Sequence, residues 1–368
     1  MTTPAGAADI AVRDALAEPM DRARRGWVTR MTVAVVGLNA GFFGPLQVLL
    51  AQQVAAFTPG HKESTLALVT GTGATISLIG NPVWGALSDR TTGRFGRRMP
   101  WIAGGALLGA AALVVLGLAG SIATVILGWC LVQAGLNAML AATTAAIPDL
   151  VPVRQRAAVG GWVGVGQTMG VVAGTGIATA VDGVRAGYLT LAALVIATAL
   201  VFVVRTGDVP LRADQRPRFS LGAMLRSFWV DPRQHPDFAW AWLTRFLVNV
   251  GNAIGTLYLL YYLGDAVGIE DPKTGVFVLI LVYAGCLVAT TVVAGLWSDR
   301  IGRRKPFVIL SGAVTAVASS VLALFPTWPA AVTGAVILGI GFGVYTSVDF
   351  ALVTQVLPSA DAEPRTSG

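Results

Sequence analysis

Charge is scarce in this sequence. Only 12% of its 368 residues are Asp, Glu, Lys or Arg, and the mean hydropathy is +0.70. An ordinary water-soluble domain carries about 25% charged residues, so a soluble globular fold is excluded and lipid is the implied solvent. Cysteine and histidine are as sparse, at two each. Cys130 and Cys286 both fall inside apolar runs, with no disulfide or metal spacing. His61 and His235 lie in polar connections, which argues against histidine-centred catalysis. Nothing resembles a phosphate-binding loop. The chain is therefore expected to be neither an enzyme nor dependent on a cofactor or metal.

Long apolar runs are what the sequence does have. Stretches able to cross about 30 Å of hydrocarbon fall near 29–52, 65–87, 101–119, 122–147, 157–181, 186–204, 238–263, 274–297, 306–325 and 328–353. The expected fold is an all-α membrane protein with ten spans. Residues 1–28 are polar and carry Arg13, Arg22, Arg24 and Arg25, which reads as a cytoplasmic tail and not a signal peptide. The formal charge of +7 does not indicate nucleic acid, because the basic residues sit in short loops rather than in one patch. Alternate loops differ sharply: 22 of the 26 Lys and Arg residues lie on one side. The other side holds only Lys62, Arg185 and Lys273, while Arg245 lies inside a span. By the positive-inside rule both termini are cytoplasmic and the chain sits in the cell membrane.

A motif is written twice. Residues 85–101 read GALSDRTTGRFGRRMPW and residues 295–307 read GLWSDRIGRRKPF, each between two apolar runs. With a four-residue insertion in the first copy, Gly85, Ser88, Asp89, Arg90, Gly96, Arg97, Arg98 and Pro100 match Gly295, Ser298, Asp299, Arg300, Gly302, Arg303, Arg304 and Pro306. Duplicated blocks of membrane helices are the architecture of secondary transporters. The polar stretch 205–236 follows the sixth span and reads as the connection between a bundle at 29–204 and a second at 237–353, with a polar tail at 354–368. Within it, SLGAMLRSFW reads either as a short amphipathic helix on the inner leaflet or as solvated linker.

Six spans, a long basic loop and the repeated Gly-x-x-x-Asp-Arg…Gly-Arg-Arg signature resemble the major facilitator superfamily. The form SDRTTGRFGRRMPW, with Pro-Trp opening the third helix, looks more like the glycoside-pentoside-hexuronide cation symporters and proton-coupled sucrose transporters than like drug exporters. That resemblance implies a two-bundle fold, alternating access, and proton-coupled symport of a sugar or glycoside. Two departures bear on mechanism. Sodium-coupled sugar symporters of this kind carry acids in the second span where this chain has Ser77 and Asn81, which argues against a sodium site. Drug antiporters carry a proline in the fifth span that GGWVGVGQTMGVVAG lacks. Members of the superfamily have twelve helices, whereas only six plus four are expected here. IPDLVP at 147–152 matches VTQVLP at 353–358, after which only SADAEPRTSG remains. Either the gene is truncated, the favoured reading, or a separate chain supplies the last two helices. A non-transporting remnant or membrane sensor, and an exporter of another small molecule, are the alternative functions.

Ionisable groups at membrane depth are functional candidates, since insertion costs roughly 2.5–3.5 kcal/mol. Arg245 in the seventh span and Asp349 in the tenth are placed at similar depth. In the superfamily the first, fourth, seventh and tenth helices line the cavity, so this pair is the candidate for proton coupling or gating; snorkelling to the surface is the alternative. Polar stripes on the same helices are candidates for contact with the solute: Asn39 and Gln47, with Phe43; Gln133, Asn137 and Thr144; Asn249, Asn252 and Thr256; and Tyr345. Amides and hydroxyls beside aromatic rings suit a neutral polyhydroxylated solute, and interhelical hydrogen bonding is the bland alternative.

The repeated loops are expected to gate the cytoplasmic side. In the superfamily the first-half aspartate meets the start of the eleventh helix, which implies that Asp89 has lost its partner. Asp299 is expected beside the start of the fifth helix near Ala157, and Arg97 beside Asp149. Glycines at 160, 164, 166, 170 and 174 in the fifth span are expected to allow close helix packing.

Overall fold

The computed structural model describes residues 22–208, 236–301 and 305–356, together with residues 19, 210, 211, 214, 222 and 233. The amphipathic segment SLGAMLRSFW lies outside the described residues, Gly222 apart. So do Gly302, Arg303 and Arg304, most of the N-terminal tail and residues 357–368.

Among the described residues there is no strand. The helices are α1 (Arg25–Gly44), α2 (Leu50–Phe57), α3 (Lys62–Asp89), α4 (Met99–Gly117), α5 (Ile122–Leu150), α6 (Val153–Ala180), α7 (Val184–Val203), α8 (Pro236–Leu257), α9 (Pro272–Ile301), α10 (Lys305–Leu324) and α11 (Trp328–Val356). A π turn, Pro45–Leu49, joins α1 to α2 as one span, and α8 continues past Tyr258 into a second π segment, Tyr262–Val267. Helix starts follow local chemistry. Ser121 accepts a hydrogen bond from Thr124 N at the head of α5, and proline occupies the first turn of α4.

Eight of these helices are long and apolar enough to cross a membrane, and nine if the pair Phe238–Leu257 and Leu259–Val267, bent by 43°, counts as one span. The expected count of ten is not reached by length and composition. Helix α6 has the length, at 28 residues. Its many glycines and Arg154 and Arg156 dilute the apolar content. Leu78, Ile309, Leu324 and Trp240 are 67–74% exposed, as side chains facing lipid must be.

The described residues pack as two compact units: those within Met1–Phe42, Leu68–Gly170 and Tyr188–Phe219 form one, and those within Phe43–Ala67, Val171–Gly187 and Ser220–Gly368 the other. In the first, α4 and α5 approach backbone to backbone: a Cβ on Gly105 would stand 2.7 Å from Gly135 O. Leu113, Leu116, Trp129, Leu136 and Met139 are fully buried around that contact. Helix α6 meets α1 through Gly166 and Gly170, where a Cβ would stand 2.9 Å from Thr32 O and 2.6 Å from Val36 O. A Cβ on Gly160 or Gly164 would meet nothing within 4 Å among the described residues, so the expected packing role does not reach the start of α6.

In the second unit, α9 and α11 lie together. Gly339 and Gly343 face Tyr283 O and Leu287 O at 2.6 and 2.7 Å from an ideal Cβ, and the Thr291 and Thr346 hydroxyls are 3.0 Å apart. Ala294, Phe307, Val344 and Val348 form a small buried core. The same unit includes the far ends of early spans. Tyr261 donates its hydroxyl to Ala51 O at 2.7 Å, and Lys62 Nζ lies 2.5 Å from Asp265 Oδ2 and 4.9 Å from the Tyr261 ring centre.

Candidate functional site

Polar side chains inside the first unit gather where α3 faces α5. Ser77 donates to Asn137 Oδ1 at 3.0 Å, and Asn137 Nδ2 donates to Gln133 Oε1 at 2.9 Å and Gln133 O at 2.7 Å. Asn137 is buried and Gln133 half-buried. Trp129, one turn before Gln133, is fully buried with its indole N–H unpartnered. Thr144, expected on the same stripe, is exposed and bonds back to Leu140 O and Ala141 O. Asn39 is buried and spends its amide on Val35 O at 2.8 Å, as a packing residue does.

The second unit has its own cluster. Tyr283 of α9 donates its hydroxyl to Asn252 Oδ1 of α8 at 2.9 Å. Its ring lies 6.5 Å from that of Phe342, which lies 6.0 Å from buried Tyr345. Thr256 bonds back to Asn252 O and sits one turn on. Asn249 is exposed and donates to Arg245 O, and Arg245 itself is exposed. Asp349 lies on α11, and its side chain, like that of Asp299, is outside the described residues. Gln47 is buried in the Pro45–Leu49 π turn with its Oε1 unpartnered. π turns inside longer helices recur at functional sites. Among the described residues no group of His, Cys, Asp and Glu could hold a metal.

The first copy of the repeated motif forms one network, buried at Arg97 and Arg98 and open at Asp89. Asp149 receives Arg97 NH2 at 2.6 Å on one oxygen and Arg98 Nε at 2.7 Å on the other. Arg98 also reaches Asp89 at 2.5 Å and Ser88 Oγ at 2.7 Å. Asp89, for which no eleventh-helix partner is expected, is paired within the loop by the motif's own Arg98. Gly96 has φ +84°, a conformation that favours glycine, and a Cβ there would stand 2.3 Å from the Asp208 side chain. Asp208 accepts from Arg98 N at 2.6 Å and Met99 N at 3.3 Å, satisfying two donors at the head of α4. In the second copy, Ser298 is buried, Arg300 exposed and Gly295 half-buried.

Sequence reasoning missed Tyr283, Trp129 and Asp208. The first two read as ordinary apolar-span aromatics. Asp208 stands out only as an acid at the edge of an arginine-rich connection.

Residues 31–363 match the Major Facilitator Superfamily. No curated protein sequence matches the chain. Among solved structures, a bacterial homologue of the human lysosomal transporter Spinster is similar with a TM-score of 0.70 and 18% identity, covering 90% of this chain and 76% of that one. The nucleoside transporter NupG gives 0.72 and 11% over 90% and 84%, and the peptide transporter POT gives 0.70 and 15% over 94% and 86%. At such identities the structural likeness shows the fold, while the family match spans most of the sequence. The chain belongs to the Major Facilitator Superfamily, a multi-pass membrane transporter of a small solute and not an enzyme.

Proposed function

We propose that the protein carries a neutral polyhydroxylated solute, a sugar or glycoside, across the cell membrane in symport with a proton, by alternating access and with both termini cytoplasmic. The observation that carries this reading is the make-up of the two polar clusters. Ser77, Asn137 and Gln133 in one, and Asn252 and Tyr283 beside Phe342 and Tyr345 in the other, offer donors, acceptors and aromatic faces with no ionised side chain among them. Such a set matches a solute that both donates and accepts hydrogen bonds and stacks a ring face, and it supplies nothing to neutralise a charged one. Asp349 is the proton carrier and Arg245 its partner. The motif network at Asp89, Arg90, Arg97, Arg98 and Asp149 gates the cytoplasmic side, with Gly295, Asp299, Arg300, Gly302, Arg303 and Arg304 as its second copy.

The test is counterflow in proteoliposomes with a panel of mono- and disaccharides, nucleosides and dipeptides. The expected result is exchange of a sugar or glycoside, weakened about fivefold in apparent affinity by Tyr283→Phe, as befits the loss of one hydrogen bond worth about 1 kcal/mol. Exchange of nucleosides or peptides with none of the sugars overturns the substrate reading. No exchange of any solute overturns autonomous transport and favours a remnant or sensor.

A further inference from the structure

A cavity of ≈ 520 Å³ opens at the head of α1, beside the ends of α5 and α7. Four arginines line it, Arg22, Arg24, Arg30 and Arg205, together with Trp27 and Thr206. We propose that it binds a phosphate group, carried by an anionic phospholipid of the adjacent leaflet or by a soluble phosphate.

The argument rests on unsatisfied donors more than on charge. Trp27 Nε1, Arg30 Nε and Thr206 Oγ1 are all buried without a hydrogen-bond partner. The Trp27 and Thr206 residues are only 9% and 8% exposed. Buried polar groups in folded proteins are nearly always paired, and three unpaired ones in the lining of a single cavity call for a common cause. Indole, guanidinium and hydroxyl can all donate, so a ligand made of acceptors satisfies the three together once these side chains turn into the cavity. Among the described residues that line the cavity there is no carboxylate. Of the acids next to the lining, Asp149 is engaged with Arg97 and Arg98, and Asp208 with the backbone N–H groups at the head of α4; Asp21, beside Arg22, lies outside the described residues.

Phosphate suits this lining better than a carboxylate does. Its three or four oxygens radiate in different directions, as the donors here do from two separate chain segments, and guanidinium forks bind it bidentately. The positive end of the α1 peptide dipole adds to the field. The volume exceeds that of bare phosphate and leaves space for the first atoms of an esterified group. The site lies where three spans end, at the arginine-rich face, which is the depth of lipid headgroups. Trp27 packs edge-on against Phe202 with ring centres 5.9 Å apart, which fixes its indole as an interfacial tryptophan. A merely solvated cluster of loop arginines has no reason to bury Trp27, Thr206 and the Nε of Arg30.

The inference does not depend on which solute is carried, and its test needs no transport. The full chain, in neutral detergent, is followed by thermal unfolding. Inorganic phosphate is titrated against chloride at matched ionic strength, and phosphatidylglycerol against phosphatidylcholine in mixed micelles. The expected result is a saturable stabilisation by phosphatidylglycerol, weakened at least tenfold in apparent affinity by Arg30→Gln or Arg205→Gln. Thr206→Val and Trp27→Phe should weaken it about threefold each while leaving the unliganded transition unchanged or raised, because each removes an unpaired buried donor. A purely structural role predicts the opposite sign. Stabilisation by phosphatidylglycerol alone assigns the site to a lipid headgroup; stabilisation by inorganic phosphate as well shows that a soluble phosphate suffices. Equal effects of the two lipids with none from phosphate overturn the proposal, as does a phosphatidylglycerol effect that all four variants retain in full.

Discussion

Arg98 Nε lies 2.7 Å from Asp149 Oδ2, and the other oxygen of the same carboxylate lies 2.6 Å from Arg97 NH2. One acid thus serves two guanidiniums whose side chains are only 4% and 9% exposed. Removing one partner of a buried ion pair leaves a desolvated charge and costs up to about 3–5 kcal/mol, less here to the extent that Arg98 keeps Asp89. Asp149→Asn should therefore lower the thermal midpoint strongly. Asp89, whose side chain is 48% exposed, pairs with the same Arg98. Asp89→Asn should cost about 1 kcal/mol at most. Equal losses in the two variants would show that the network is solvated in the membrane-embedded protein.

Gly96 sits at φ +84° and would, with a methyl group, drive into Asp208. Gly96→Ala should cost roughly 1–2 kcal/mol for the left-handed backbone, and more because Asp208 must leave the head of α4. Asp208→Asn keeps the shape and loses only charge at a helix N-terminus, about 0.3–1 kcal/mol. Thermal unfolding of the two variants checks the order, and a Gly96→Ala protein as stable as the parent would refute the close approach.

Much of this was legible in the linear pattern. Apolar runs place the helix ends within a few residues, since the alternation of twenty-residue apolar stretches with arginine-rich loops has no other reading in water or lipid. The proximity of Arg97 and Asp149 follows from a loop that must return beside the end of the fourth span. Partnerships across the bundle were not legible. Ser77 meets Asn137 across 60 residues and Asp208 meets Arg98 across 110, and no local period encodes which face of one helix meets which face of another. The glycines of α6 show the same limit. Gly166 and Gly170 face α1 closely, while a Cβ on Gly160 or Gly164 would meet open space, although all four share one sequence pattern.

Asp271 precedes α9 and accepts from Thr274 Oγ1 at 2.6 Å and Thr274 N at 3.2 Å. The Thr274 side-chain bond, then its backbone bond, hold the Asp271 carboxyl below its ordinary value. A group with a lowered folded pKa stabilises the folded state above its unfolded value, and that contribution is lost as pH falls through the folded one. The difference in thermal midpoint between the parent and Asp271→Ala, small because the site is open to solvent, should hold near neutral pH and shrink on acidification below about pH 4. A difference that does not depend on pH would mean that Thr274 acts without the carboxylate charge.

Asp349 stands on α11, four residues beyond buried Tyr345 and therefore on the same helical face. A carboxylate within an apolar span is costly to keep charged, which is why it is the candidate proton carrier. If it carries the coupled proton, Asp349→Asn should abolish uphill accumulation driven by a proton gradient while sparing counterflow, which moves solute against solute and needs no net proton. Asp349→Glu should keep part of the uphill activity. Arg245 on α8 is exposed, and if it is the acid's partner, Arg245→Gln should lower proton-driven accumulation more than counterflow. Parallel loss of counterflow and accumulation in Asp349→Asn would place the residue in solute binding or folding instead, and unchanged accumulation would remove it from coupling altogether.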